Sequence, residues 1–388
     1  MSAPPGSAES PARASPRVPE LLPEVGPDES PSPLLRGRPL RVVHGMYEIA
    51  GQGMMLARAL AGLGCDARSF SYQVAWDGRV SDIVVDLGAH ANNLGKGVAM
   101  AGAFARWANR FDVFHLHFGT SFLPRRLDVP LLGALGKTVV FHFHGCEVRN
   151  RAHMLATHRL ATCTECDPFC RPVQQARLLA ETRRHARRAY YSTLDLAESI
   201  PGGVNLPLAI EADRWEAAAL AEPLPEFERR DGVRGPVVIA HAPTNRLIKG
   251  TRHIVEAVDR LSREFPKIEL RMIEQQPWAG MPSFISRCDI LVDQLMMGWY
   301  GLLSIEGMAE RRPVIAYLRD DFRPLRPDLP VVSAEPATIE AVLRELIRDP
   351  LRRAEIGARG NAYVRRHHDL PVVGRMLLAD YHRLVAAR

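Results

Sequence analysis

The chain has 388 residues, 46% hydrophobic and 24% charged, enough for two ordinary cores. No stretch of about 18 apolar residues could span a bilayer. The first thirty residues or so lack the basic start and apolar block of a secretory signal, so a cytoplasmic location is expected. Six cysteines are too few for a secreted disulfide framework, and a net charge of +6 suits anionic small molecules or an anionic membrane face. No recognisable nucleic-acid motif is present, so nucleic acid is not an expected partner.

In chain order, residues 1–38 are crowded with proline, including Pro4, Pro5, Pro11, Pro16, Pro19, Pro23, Pro27, Pro31 and Pro33, and read as a disordered tail. Order is expected from a strand beginning at Leu40. Met55, Leu56, Ala59, Leu60 and Leu63 recur at helical spacing over 52–63. Strands over 67–72 and 82–86, a helix over 98–109, a strand over 113–118, a helix over 129–135 and a strand over 138–144 complete the first half. The basic run Arg183, Arg184, Arg187 and Arg188 suits one solvated side of a helix, with peripheral binding to an anionic membrane face as its functional rival. After Asn205-Leu206-Pro207 the alternation restarts, with strands expected at 237–241, 269–273, 290–292 and 314–316. Helical patterns over 351–366 and 372–387 close the chain. The pattern predicts an α/β protein with two doubly wound, mostly parallel sheets, divided as 39–206 and 207–370, then a closing helix over 371–388.

Ligands of such sheets bind outside the carboxyl ends of the strands, and the chemically notable residues fall there. Arg246 and Lys249 occupy a strand-to-helix turn, where cations, amides and the helix dipole together attract an anion such as a diphosphate. A solvated basic turn is the plain alternative. Glu306 lies early in the helix after Gly301, suited either to helix capping or to accepting hydrogen bonds from ribose hydroxyls. Gly298 and Gly301 allow backbone to approach a ligand; Trp299 and Tyr300 either stack on one or pack in the core. Gly51 and Gly53 open the first helix, but Leu56 stands where the dinucleotide fingerprint requires glycine, which disfavours an oxidoreductase.

His115, His117, His142 and His144 alternate with apolar residues, as interior histidines or, less simply, metal ligands. His144 is the one at a strand end, facing the expected cleft. Glu147 and Arg149 read as a surface ion pair. Cys146, Cys163, Cys166 and Cys170 form a four-thiol set compatible with a structural zinc site, an iron–sulfur cluster or unligated thiols.

Over nearly everything from residue 40 onward, the chain resembles glycosyltransferase family 4, retaining enzymes of the GT-B fold. The resemblance is strongest over 237–263 and 289–315, and Met308-Ala309-Glu310-Arg311-Arg312-Pro313-Val314-Ile315 is similar to the family's M-A-x-G-x-P-V-I segment. It implies a nucleotide-diphosphate-sugar donor whose diphosphate meets Arg246 and Lys249 and whose ribose meets Glu306. Gly51, Gly53 and Gly301 would line the donor cleft, and His144 would touch the donor sugar. It also implies no catalytic metal, and a C-terminal helix that crosses back onto the first domain. The acceptor is left open among polysaccharide, lipid and small natural product. The chain departs from the family at Arg311, where glycine is usual, and at Gly298, where the first acid of the E-x7-E signature would stand. Its Arg-to-Lys loop is also shorter than the common form. The missing acid keeps two rivals in view: a non-catalytic nucleotide- or sugar-binding partner protein, and a nucleotide-sugar epimerase.

Overall fold

Val42, Val43, Phe114, Leu116, Val139, Phe141 and Phe143 are buried whichever way their side chains point, as parallel strands covered on both faces require. The computed structural model describes residues 18–75, 77–166, 170–221, 224 and 227–387. Eight parallel strands form the first sheet. Their spatial order is Glu20–Leu21, Val204–Asn205, Arg188–Tyr191, Thr138–Phe143, Val113–His117, Arg41–Gly45, Asp66–Ser71 and Ile83–Val84. The second sheet has five: Ile268–Met272, Val237–His241, Ile290–Gln294, Val314–Ala316 and Val332–Ser333. All its pairings are parallel too. Two doubly wound lobes result, as the alternation predicts.

Helix positions follow their apolar stripes. Gln52–Gly62 buries Met55, Leu56, Ala59 and Leu60; Thr251–Leu261 buries Ile254, Ala257, Val258 and Leu261. The final helix, Leu370–Ala386, returns to the first lobe. Its Met376, Leu377 and Tyr381 share a core with Leu56 and Leu60 of the first helix. Contact is tight at Gly374, where an added Cβ would come within 3.1 Å of the Ala59 methyl. Asp380, fully buried, accepts from Arg188 at 3.0 and 3.1 Å and from the Tyr190 hydroxyl at 2.6 Å.

Two expectations need correction. Within the tail expected to be disordered, residues 1–17 lie outside the described ones, but Glu20–Leu21 is the edge strand of the first sheet, in register with Val204 and Asn205. Its backbone hydrogen bonds and the burial of Leu22 outweigh the surrounding prolines. Arg388, the end of the closing segment, is likewise outside the described residues. The basic run is not one helical face: Pro172–His185 ends before Arg187, and Arg188 begins a strand and pairs with Asp380. Among the described residues no helix is long and apolar enough to cross a membrane.

Candidate functional site

The strand Val237–His241 delivers the chain to the basic turn. His241 donates from Nδ1 to the Val292 carbonyl (2.7 Å) and meets the Thr251 hydroxyl at Nε2 (2.9 Å), tying two strand ends to a helix start. Burial lowers its pKa to about 4, so the ring is neutral. Asn245 caps the short helix Arg246–Lys249, its Oδ1 accepting from the Leu247 and Ile248 amides. Gly250, at φ +73°, then turns the chain into Thr251–Leu261.

That turn sends the two cations in different directions. Lys249 points inward, its side chain 14% exposed, and its Nζ lies 2.6 Å from Asp293 Oδ1 at the end of Ile290–Gln294. The other oxygen of Asp293 accepts from the Gly301 amide (2.9 Å) and the Ser304 hydroxyl (2.7 Å). Burial alone would raise this carboxyl, but the Lys249 ammonium and those bonds outweigh it and hold it below the usual carboxylate range. Arg246 points outward, 62% exposed, in a two-pronged pair with Glu274 at 2.6 and 2.8 Å.

Helix Leu302–Ala309 begins at Gly301, and the acid that satisfies its first amide is Asp293, not Glu306. Glu306 is 6% exposed, one turn further on, and burial pushes its pKa to about 8. Arg79 counters that push most strongly, with Arg214 and Lys249, while Asp293 adds to it. The guanidinium groups of Arg214 and Arg79 lie 3.4 and 5.2 Å from the centroid of the Trp278 ring. The Trp278 amide donates to the Asp77 carbonyl at 3.1 Å, so the lobes touch here.

Across the cleft, Gly51 is left-handed (φ +78°) and opens Gln52–Gly62; a Cβ there would lie 2.6 Å from an Arg79 nitrogen. The helix terminus expected to admit a ligand anion already holds one from the chain itself. Glu48 accepts from the Gly53 and Met54 amides (3.1 and 3.2 Å), and burial nonetheless raises its pKa to about 7.

The histidines form a hydrogen-bonded interior row. His44 meets His117 at 3.2 Å, His117 meets His144 at 2.9 Å, and Ser192 bridges His144 (2.7 Å) to His142 (3.1 Å). His115 meets the Tyr381 hydroxyl of the returning helix at 2.6 Å. Burial lowers all five, His44 and His144 to about 3, so they are neutral. Their ring nitrogens converge within 4.8 Å in two sets of three, His44–His115–His117 and His117–His142–His144.

The expected Glu147–Arg149 surface pair does not form. Glu147 accepts from the His144 amide, whereas Arg149 is 1% exposed and pairs with buried Asp195. Trp299 and Tyr300 are core residues; the Tyr300 hydroxyl meets that of Tyr363 (3.0 Å) and the ring of His368 (2.9 Å).

At Gly298, φ is +90° and an added Cβ would meet the Arg319 side chain at 2.8 Å. Arg319 (6% exposed) reaches across the cleft to Glu198 at 2.6 Å. Burial would raise Glu198, but the His158 and Arg319 bonds pull it down to about 2. The space a side chain at 298 would need belongs to an interlobe ion pair.

Among the described residues, none of the four cysteines of the expected zinc set is in a disulfide. Each interacts electrostatically with the other three, and the buried Arg149 acts on Cys146, Cys163 and Cys166. Among the described residues they do not form a set converging within 4.8 Å. Their segment braces the basic turn: Thr162 donates to the Ile248 carbonyl (3.0 Å), and Glu165 accepts from Arg252 (2.5 Å).

Lys249, Gly301 and Glu306 thus share one strand-end edge with Asp293, and Arg246 lies at its rim. Gly51 and Gly53 face that edge, and His144 is partly exposed just past the end of the strand Thr138–Phe143. Sequence reasoning missed Asp293, Glu48, Arg79, Arg214 and Trp278. Asp293 left a signal, an acid ending a buried apolar strand; Glu48, Arg79 and Trp278 sit in stretches without periodicity. Arg214 lies on the helix Ala212–Ala221, whose buried Ala212, Trp215 and Ala219 are the signal that could have found it.

Two facing Rossmann-like lobes closed by a returning C-terminal helix define the GT-B fold, and this chain has it. Similar solved structures include sucrose-phosphate synthase from Thermosynechococcus elongatus, at 15% identity and TM-score 0.56, covering 90% of this chain and 100% of that one. Anabaena HepE in complex with UDP-glucose is 11% identical, with TM-score 0.57 and coverage of 89% and 99%. A UDP-forming α,α-trehalose-phosphate synthase from Burkholderia xenovorans is 13% identical, with TM-score 0.56 and coverage of 89% and 99%. No protein-family model and no curated protein matches the sequence.

Proposed function

We propose that this protein is a family 4-like retaining glycosyltransferase, moving a sugar from a nucleotide-diphosphate sugar to an acceptor hydroxyl or amine. The observation that carries the reading is the meeting of Lys249, the Gly301 helix terminus and Glu306 at the strand ends, beside Arg214 and opposite Arg79. Solved structures of the same fold hold UDP or UDP-glucose, which supports this donor class. Lys249 and Arg246 stabilise charge developing on the departing diphosphate, and fixed charges aimed at such a group lower the barrier more than any other feature of a site of this kind. Arg246 leaves Glu274 at little cost, since that pair is exposed. Glu306 accepts from the ribose hydroxyls, and His144 exchanges its hydrogen bond to His117 or Ser192 for one to the donor sugar. No residue is assigned as a covalent nucleophile.

Calorimetric titration with UDP, GDP, ADP and TDP tests this directly. One nucleotide binds the parent, and Lys249→Ala weakens it by about tenfold or more, the worth of one charge-assisted hydrogen bond. Arg246→Ala has a smaller effect. Unchanged affinity in both variants removes the turn from the site.

A second reading, nucleotide binding without turnover, is favoured by the ion pair that fills the place of the family's first acid. Binding with no product across donor and acceptor panels would establish it. A structural zinc on Cys146, Cys163, Cys166 and Cys170 belongs to the proposal as well. Buried Arg149, with Nε and Nη2 lacking hydrogen-bond partners, suits a charged thiolate cluster. Elemental analysis is expected to find about one zinc per chain; a folded, metal-free protein rules it out.

A further inference from the structure

Beyond the carboxyl ends of Val113–His117 and Thr138–Phe143, on the cleft side of the first lobe, lies a cavity of about 700 Å³. Arg125, Arg126, Arg171 and Arg177 line it, with Glu147 and Glu181 as its carboxylates. Arg126 is committed to Glu181 at 2.5 Å and to the Gly119 carbonyl at 3.0 Å. Among the described residues neither Arg125 nor Arg177 forms an ion pair, and both are exposed. Positive charge is therefore in excess, in a hollow large enough for a sugar-sized molecule.

Glu147 gives the cavity a direction. One carboxylate oxygen accepts from the His144 amide; the other, Oε2, is buried without a hydrogen-bond partner. A buried acceptor left open in this way suits a ligand hydroxyl.

A second cavity of about 320 Å³ shares Gly119, Arg125 and Arg126 with the first, and Met46, Tyr72, Met100 and Leu123 make it apolar. Beyond Arg126, Leu127, Leu131 and Leu135 are 63%, 50% and 50% exposed. The basic hollow thus opens beside an apolar lane.

We propose that the larger cavity is the acceptor site and that the acceptor carries a phosphate group. The phosphate sits among Arg125, Arg126, Arg171 and Arg177, and a hydroxyl of the same molecule donates to Glu147 Oε2. This assignment rests on the glycosyl-transfer reading above. In the transfer, the acceptor oxygen bonds to the anomeric carbon as the bond from that carbon to the diphosphate oxygen breaks. The hydroxyl proton leaves with the diphosphate, and Glu147 serves as a positioning residue.

The phosphate could belong to a soluble sugar phosphate or to a phospholipid headgroup, and two assays on the UDP-saturated full chain separate them. Calorimetry compares glucose 6-phosphate with glucose. Co-sedimentation compares phosphatidylcholine vesicles with and without phosphatidylglycerol. At least one phosphate-bearing probe is expected to bind about tenfold more tightly than its neutral counterpart. That preference falls by about tenfold in Arg125→Ala and in Arg177→Ala, both exposed positions, with UDP affinity and melting temperature unchanged. Preference for glucose 6-phosphate alone assigns a soluble acceptor; preference for the anionic vesicles alone assigns a lipid. If neither probe shows an arginine-dependent preference while UDP still binds, the acceptor assignment is wrong and the donor reading stands. If none of UDP, GDP, ADP and TDP binds at all, the donor reading falls and this assignment with it.

Discussion

Asp293 is the residue on which the proposed donor edge turns. Its two oxygens hold Lys249 on one side and the Gly301 amide and Ser304 hydroxyl on the other, so the ammonium and the helix start are placed by one carboxylate. Glu306 is held differently, by burial among charges rather than by a cap. Its pKa, raised from 4.5 to about 8, has a sign that can be tested. The native state keeps a proton that the unfolded chain has lost, so stability falls as pH rises from about 4.5 through about 8. Glu306→Gln removes that loss. Urea unfolding is expected to show the variant more stable than its parent by about 1–3 kcal/mol at pH ~9 and close to it at pH ~5. An equal shift at both pH values would contradict the burial argument. Lys249 and Glu306 were readable as single residues because a cation at a helix start and an acid among apolar neighbours stand out locally. Arg79 and Arg214 were not: the approach of the first lobe brings Arg79 to Glu306, and the packing of helix Ala212–Ala221 on Leu302–Ala309 brings Arg214.

At the scale of an element, the departure at Arg311 has a backbone explanation. Helix Leu302–Ala309 ends in a Schellman turn: the Arg311 amide donates to the Met308 carbonyl (3.0 Å) and the Arg312 amide to that of Gly307 (2.9 Å). Arg311 sits at φ +58°, a conformation glycine adopts without strain, and its guanidinium pairs with Glu216 at 2.6 Å on the surface. Arg311→Gly is therefore expected to stabilise the protein by up to about 1 kcal/mol in thermal unfolding, less whatever the exposed pair contributes. A clear loss of stability would mean the Glu216 contact outweighs the strain. Gly298 follows the same logic in reverse: positive φ and the Arg319 side chain leave no room for the family's acid. Charge spacing in the basic run mimics a helical face, and the backbone pairing of Arg188–Tyr191 with Thr138–Phe143 makes its end a strand.

For the whole molecule, the returning helix Leu370–Ala386 is a structural part of the first lobe. Val373, Met376, Leu377, Leu378 and Tyr381 are all at most 2% exposed, and Asp380 anchors the Arg188–Tyr191 strand. Burying five such side chains contributes about 8–15 kcal/mol, as much as a domain's entire net stability. Ending the chain at Asp369 should abolish cooperative unfolding of the first lobe by circular dichroism and calorimetry; a parent-like melting curve would refute this. The alternation of apolar strands and amphipathic helices was legible in the sequence because parallel sheets demand burial on both faces and a 3.6-residue stripe on each helix. The same local patterns marked Arg246, Lys249, Gly301 and Glu306 at strand ends. Tertiary structure alone decided that Glu20–Leu21 joins a sheet edge, that Glu48 occupies the glycine-turn amides, and that Arg319 fills the space beside Gly298. A sheet edge between distant residues, a side chain folded back onto a turn and a backbone of positive φ share one property: none leaves a periodic trace in a chain.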